Sequence, residues 1–418
     1  LVLRGQAALR GDVDDQQRVA GELAQRLGLA IDRRVGELVD AGLAEIRTGP
    51  FGTQLRASDY VEEGRPVLNV RNVGLGDVRP DKLEYVGEAT ATRLSGHILR
   101  HGDIIFGRKG AVERHAFITA GFVGALQGSD CIRLRISPNA PIRPGFATFA
   151  LRTQQHQQWM KSYCSHGATM ASLNQEILRQ VRLPDLPLTT QDSVVSVLQA
   201  IDDLISNNQR RAELLEEMAR AIYREWFVHF RYPGHEGDTL VRSPLGPIPD
   251  GWMPGSVGEL VELQRATVDP TTVPGDTPAV GLEHIPRHRL TLDAWGGAGE
   301  LGSRKTVFGE ADILFGKIRP YFHKVCVAPI SGVCSTDVIV LRPVSDHWGL
   351  AVHTVAGDEF VANATQTSNG TKMPRADWKV IKEFPVAIPP ADLSQRFTRI
   401  AFDAQRLANV LMFEGRHL

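Results

Sequence analysis

The strongest pattern along the chain is an apolar stripe at heptad spacing. Val194, Leu198, Ile201, Ile205, Asn208, Ala212, Leu215, Met218, Ile222 and Trp226 follow one another in steps of three and four, largely the seam of a coiled coil. The pattern predicts a helix that opens after Leu183-Pro184-Asp185-Leu186-Pro187, is capped by Thr189 or Thr190, and runs to about Phe230. At 1.5 Å per residue, about 38 residues span roughly 57 Å. Arg210, Arg211, Glu213, Glu216, Glu217, Arg220 and Arg224 cluster around the stripe, and Asn208 on it reads as a register-setting polar residue. A second stripe after Pro389-Pro390 comprises Leu393, Phe397, Ile400, Ala404, Leu407 and Leu411. It is shorter, from Asp392 to about Glu414.

Between and before these helices the pattern changes to short alternating runs broken by Gly, Pro and Asn. Pro66–Val70, Asp103–Phe106 and Asp130–Leu134 read as strands; Phe146–Tyr163 and Leu173–Gln180 read as helices. Three blocks recur in the same order. Gly102-Asp103-Ile104-Ile105-Phe106-Gly107-Arg108-Lys109 matches Ala311-Asp312-Ile313-Leu314-Phe315-Gly316-Lys317-Ile318. Ser129-Asp130-Cys131-Ile132-Arg133-Leu134-Arg135 matches Thr336-Asp337-Val338-Ile339-Val340-Leu341-Arg342. Gly167-Ala168-Thr169-Met170 matches Gly370-Thr371-Lys372-Met373. The offsets are 209, 207 and 203 residues. That period is too long for a solenoid and means two copies of one module. The expected fold is therefore α+β: two tandem globular parts with mixed, mostly antiparallel sheets, separated by long helices that pair as an antiparallel coiled coil. The division is a helical extension over 1–36, a first globular part over 37–188 and a central helix over 189–231. A linker and second globular part follow over 232–388, and a distal helix over 389–418.

Composition narrows the function. The 418 residues are 42% hydrophobic and 23% charged, with 47 basic against 48 acidic side chains and a formal net charge of −1. This excludes a disordered chain and one that coats nucleic acid through bulk charge, while a specific binder with locally sorted basic residues remains. Cys131, Cys164, Cys326 and Cys334 form no Cys-x-x-Cys pair, which suits a reduced, cytoplasmic protein. No apolar run approaches 18 residues, and Leu1–Gly5 lacks the core of a signal peptide.

Catalytic motifs fail one by one. Gly297-Ala298-Gly299-Glu300-Leu301-Gly302 spells G-x-G-x-x-G, but the preceding Asp293-Ala294-Trp295-Gly296 is turn-like, and Ser303 stands where a phosphate loop needs Lys. There is no His-Glu-x-x-His and no Gly-x-Ser-x-Gly, and His284 and His288 have no acidic third ligand at motif spacing. There is no Asn/Asp-Pro-Pro-Tyr tetrad of an amino-methyltransferase, and Pro80-Asp81 followed by Glu84 lacks the spacing and the Lys of a metal-dependent nuclease core. No catalytic residue, metal ligand or cofactor is expected in this chain.

The ordered motifs carry a family resemblance. Ala44–Leu55, Leu99–Phe106, the two helix openings Pro187–Gln191 and Pro389–Gln395, and Ile222–Phe230 followed by Gly251-Trp252 resemble stretches of the specificity subunit of type I restriction-modification systems. The resemblance spans about residues 37–418; residues 1–36 do not match, and Glu22–Leu29 with Val35–Val39 only superficially resembles a helix-turn-helix. It implies two target-recognition domains, each reading one half of a split DNA sequence, and helices that set the spacing and dock two methyltransferase subunits. Those partners would use S-adenosylmethionine, and an ATP- and Mg-dependent restriction/translocase subunit would cut; this chain would do no chemistry.

Basic side chains suited to phosphates and guanine are Arg47, Arg56, Arg71, Arg108, Lys109 and Arg114 in the first copy. In the second they are Arg265, Arg304, Lys305, Lys317, Arg319, Lys324 and Lys372. Asn72, Gln127, Gln366 and Asn369 are suited to adenine edges. Thr48, Gly49, Gly107, Thr169 and Thr371 join Lys317 inside the matched motifs. The rival readings are a self-contained two-domain restriction or modification enzyme, which the missing motifs disfavour, and a coiled-coil protein-binding adaptor, which the basic loops disfavour.

Overall fold

The computed structural model describes residues 32–164, 171–370 and 372–417. Two compact units divide it, Leu1–Asp202 and Asp203–Leu418. Most of the expected 1–36 extension, and the candidates Thr169 and Thr371, lie outside the described residues.

In the first unit, a five-stranded sheet runs in the order Ala44–Thr48, Cys131–Ile136, Ile104–Gly107, His115–Phe117, Leu75–Gly76. Alternation divides its side chains between two faces. Ile104, Phe106, Ile132 and Leu134 pack with Phe146, Ala147, Leu151 and Met160, while Ile105 and Cys131 pack on the other face with Leu68, Val73 and Ala116. A four-stranded sheet of Tyr60–Val61, Glu84–Val86, Arg65–Leu68 and Leu126–Gln127 completes the unit. The predicted helix over Phe146–Tyr163 is two helices, Pro144–Leu151 and Gln154–Cys164. The break falls at Arg152-Thr153, where the Thr153 hydroxyl donates to the Ala150 carbonyl and Arg152 turns to pair with Asp202 at 2.6 Å. The short helix Gln175–Gln180 starts after Asn174, whose side chain caps the Ile177 N–H.

The second unit repeats the plan. Val261–Leu263, Val338–Pro343, Ile313–Gly316 and Val325–Val327 form its main sheet. Ile313, Phe315 and Leu341 face Trp348, Leu350 and Phe360, and Leu314 and Val340 face the opposite cluster with Cys326. A five-stranded sheet of Thr267–Val268, Lys305–Phe308, Gly332–Cys334, Pro278–Val280 and Gly296–Gly297 lies beside it. Among the described residues, the strand pairs are antiparallel except for three. Each unit also closes with a two-stranded ribbon, Asp32–Arg34 with Arg182–Pro184 and Met253–Ser256 with Pro385–Ile388. All four cysteines are free and buried, and burial raises the Cys131 and Cys334 thiols to about 12 and Cys164 to about 11.

The long helix is Leu188–Tyr223, 36 residues. It ends earlier than its apolar pattern predicts, in a π-helical turn over Arg224–Val228, after which Phe230 takes a left-handed φ of 57°. Thr189 and Thr190 lie inside the first turn rather than capping it; the Pro187 carbonyl instead receives the N–H groups of Thr190 and Gln191. Val194 and Val195 lean on the first unit's core, and Leu198, Ile201 and Ile205 are half-buried.

Within the second unit the later part of this helix packs on the distal helix Ala391–His417. Ala212 and Leu215 meet Ala408 and Met412, whereas Tyr223 and Phe227 meet Phe397. The two helices therefore pass each other in opposite directions there. Two predicted seam residues do not face the partner: Met218 is 45% and Leu407 44% exposed. Two successive steps of three leave Met218 about 120° around the helix from Ala212, whereas Ala219 returns to within about 20°. Ala219, like Asn208 and Ala212, is buried. On the distal helix the buried line is Leu393, Phe397, Ala401, Ala404, Ala408 and Leu411, with Ile400 half-buried and Leu407 turned out. Glu216, one of the charges clustered around the stripe, is also buried. Its carboxylate accepts the Leu290 and Thr291 N–H groups at 2.9 and 2.8 Å and the Thr291 hydroxyl at 2.5 Å.

Candidate nucleic-acid interface

Each helix is fastened to its own unit by equivalent means. Gln191, fully buried, donates to the carbonyls of Pro141 and Leu186 and accepts the Arg143 N–H. At the same spacing from its proline, Ser394 donates to the Asp346 carbonyl and meets His347. The helix that follows each of these loops brings a glycine against the long or distal helix. A Cβ on Gly145 would stand 3.3 Å from Val195, and one on Gly349 3.0 Å from Phe397 and Thr398.

The repeated G/A-D-I motif has one geometry in both units. Asp103 is buried, takes the Arg100 N–H, and is gripped by Arg135. Asp312 is buried, takes the Gly309 N–H, and is gripped by Arg342. This clamp fixes the strand that ends at Gly107 or Gly316, and the candidate basic loop leaves from that end. The loop starts identically: the Arg108 N–H donates to the Asp130 carbonyl and the Lys317 N–H to the Asp337 carbonyl. Lys109 and Ile318 make isolated antiparallel bridges to Ser172 and Arg375. Gly110 and Arg319, at matching positions, both take left-handed backbone, φ 81° and 49°. Such a conformation is easy for Gly and costs an Arg about 1–2 kcal/mol.

Of the candidate residues, these loops unite Arg108, Lys109 and Arg114 in the first unit and Lys317, Arg319 and Lys324 in the second. Arg108 lies 4.8 Å over the exposed Phe51 ring, Lys109 is 3.8 Å from Asp130, and Arg114 is exposed. Lys317 donates to the Thr336 carbonyl at 2.6 Å with Asp337 at 3.6 Å, and Lys324 donates to the Leu282 carbonyl. Burial, then the neighbouring Arg287, lowers the Lys324 pKa. Arg265, Asn369 and Lys372 are exposed, with Asn369 and Arg375 exchanging backbone hydrogen bonds.

The other candidates lie apart from these loops, most of them held by neighbouring groups. Arg47 pairs with Glu45 at 2.8 Å and donates to the Gly96 carbonyl, and Arg71 pairs with Glu84 at 2.9 Å. Thr48 accepts from Gln175, and Gly49 packs so closely on Gly128 that a Cβ would lie 2.0 Å from its carbonyl oxygen. Arg56 donates to the Thr53 carbonyl and Lys305 to Ser303, while Arg304 and Gln366 are exposed. Asn72 and Gln127 are 0% exposed and cannot reach a base edge. Asn72 donates to the Arg79 and Asp81 carbonyls, and Gln127 to those of Arg47 and Cys131. Both amides satisfy backbone groups where the chain has left its ladders.

Two features carried no sequence signal. Arg133, on a strand of alternating pattern, has a fully buried side chain that reaches Glu45 at 3.1 Å and the Gly96 carbonyl. His288, His323 and Asp358, separated by tens of residues, present ligand atoms within 4.8 Å of one another.

No protein-family model matches the chain. It is 26% identical over 236 residues to a Methanocaldococcus jannaschii protein named as the MjaX specificity subunit of a type I restriction enzyme, covering 56% of this chain and 52% of that protein. It is 24% identical over 221 residues to the Escherichia coli type I restriction enzyme EcoDI specificity subunit, covering 49% and 48%. Both of these similar proteins are named as type I restriction specificity subunits. The type I restriction-modification S subunit from M. genitalium has the same fold: the TM-score is 0.55 at 13% identity, over 93% of this chain and 92% of that one. The chain spans about half the length of the curated specificity subunits it matches.

Proposed function

We propose that this chain is the non-catalytic DNA-specificity subunit of a type I restriction-modification complex. The observation that carries the reading is the duplicated clamp and basic loop: Asp103–Arg135 below Arg108 and Lys109, Asp312–Arg342 below Lys317 and Arg319. Two like loops on two like scaffolds suit a bipartite target, one half-site per recognition domain, with 37–188 and 232–388 as the two domains. Half-buried Arg108 and exposed Lys109, Arg114, Arg265, Asn369 and Lys372 are the side chains for phosphates and base edges. Kinship with named specificity subunits supports the role and the absence of chemistry in this chain.

The long and distal helices, over 189–231 and 389–418, act as an antiparallel coiled coil that spaces the half-sites. A helix of 36 residues, roughly 54 Å at 1.5 Å per residue, is long enough to separate contacts one DNA turn, about 34–36 Å, apart. Apolar side chains turned outward, Val197, Leu204, Leu214, Met218, Leu407 and Val410, supply docking surface for two methyltransferase subunits. Those subunits would bring S-adenosylmethionine, and a restriction/translocase subunit ATP and Mg. Among the described residues no helix is long and apolar enough to cross a membrane, in keeping with a cytoplasmic complex.

The test is methylome sequencing of a host with and without this gene, its methyltransferase subunit present. Loss of one bipartite N6-methyladenine motif is expected. Methylation unchanged at every motif, together with salt-insensitive, sequence-indifferent DNA binding by the purified chain, overturns the reading in favour of a protein-binding adaptor. Methyl transfer by the purified chain alone favours a self-contained enzyme.

A further inference from the structure

We infer that His288, His323 and Asp358 form a three-ligand site for a divalent transition-metal ion of the zinc class, leaving an open fourth position. The three groups come from three places in the second unit: the turn before Arg289, the end of the basic loop, and the first residue of the helix Asp358–Gln366. Their ligand atoms lie within 4.8 Å of one another. Ligands at about 2.1 Å from a tetrahedral zinc stand roughly 3.4 Å apart, so closure requires shifts of about 1 Å. His288 and Asp358, both exposed, are free to make them.

The buried member is already oriented. His323 Nε2 lies 2.9 Å from the Ala356 carbonyl, which only accepts, so Nε2 carries the hydrogen and Nδ1 bears the lone pair of the neutral ring. That Nδ1 faces Asp358 at 3.5 Å. A backbone carbonyl on the distal ring nitrogen is the usual support of a ligating histidine.

The backbone also holds the two rings together. His288 and His323 both take left-handed φ, 57° and 51°, the His288 N–H donates to the His323 carbonyl at 3.0 Å, and the ring centroids are 4.3 Å apart. Left-handed non-Gly residues cost of order 1–3 kcal/mol each and gather at ligand clamps. Arg220 donates to the His288 carbonyl, and Arg224 stands 3.9 Å from the other Asp358 oxygen. Arg224 is thus the internal competitor that a metal must displace. A bound ion would pin the loop of Lys317, Arg319 and Lys324 to the helix behind it.

The test is calorimetric titration of the full chain, stripped with a chelator, with Zn²⁺ at pH 7.5. One equivalent is expected, with a rise in melting temperature. H288N, chosen because Asn accepts left-handed backbone, and D358N should each weaken binding by at least tenfold. Both side chains are exposed, so the variants keep the fold where H323A could lose it. Absence of Zn²⁺ binding by the wild type, or undiminished binding by H288N/D358N, overturns the site.

Discussion

Arg135 donates two parallel hydrogen bonds to Asp103, at 2.7 and 2.6 Å, and Asp103 is 1% exposed. Arg342 repeats the grip on Asp312 at 2.9 and 2.8 Å. Removing one partner of such a pair strands a buried charge and costs about 3–5 kcal/mol. R135A should therefore lose about 3 kcal/mol or more in denaturant unfolding followed by a probe in the first unit. R342A should lose less, since the Arg342 side chain is 50% exposed and water can replace it at Asp312.

Glu216 gives a second test, on the second unit. Its carboxylate receives three hydrogen bonds from Leu290 and Thr291, and Thr291 in turn receives Gln405 from the distal helix at 3.3 Å. E216Q puts an amide donor against these donors. Loss of one charge-assisted bond costs about 1.5–3 kcal/mol, and that is the drop expected by chemical denaturation. E217Q, on the neighbouring exposed glutamate, should change stability by less than about 0.5 kcal/mol.

How far the sequence revealed this protein depends on what each residue's pattern could encode. The two copies were legible because Asp103/Asp312 and Arg135/Arg342 sit in continuous blocks that keep strand alternation. The long helices were legible from periodicity, but their facing sides only roughly. A stripe of apolar residues does not say which edge meets a partner, so the pattern puts Met218 and Leu407 inward, whereas the buried positions include Ala219 and Ala401, small and featureless in sequence. Asn72 and Gln127 were misjudged for a related reason: an amide suited to a base edge is equally suited to a stray carbonyl. The His288, His323 and Asp358 cluster depends on three chain segments meeting in space and leaves no spacing to find.

Acid should destabilise both units. Burial, the largest cause in each, lowers His115 and His353 to about 3. The unfolded rings take a proton near 6.5 while the folded ones refuse it, so stability is full above about pH 6.5 and falls as pH drops toward 3, by up to about 1.4 kcal/mol per pH unit per ring. Melting temperatures should drop between pH 7.5 and 5.0. In H353F, which keeps the aromatic packing against Tyr223 and Phe397, the second unit's drop should shrink.

Surface and seam substitutions on the helices should separate docking from folding. M218D and L407D place charge on exposed positions and should leave the melting temperature near that of the wild type. They should reduce co-purification with the methyltransferase subunit at least tenfold. A408D buries a charge against Ala212 and should unfold the second unit. Full co-purification of M218D/L407D would remove these side chains from the docking surface.

Each unit holds its own ribbon closure, its own clamp and its own helix foot, Gln191 with Gly145 in one and Ser394 with Gly349 in the other. The boundary between the units falls at Asp202-Asp203, inside one continuous helix of plain heptad character. A genetic crossover there joins helix to helix without a new loop and leaves both sets of local fastenings whole. A hybrid that takes one half from each of two parents across this boundary is expected to fold, giving in a single recombination a protein that neither parent had.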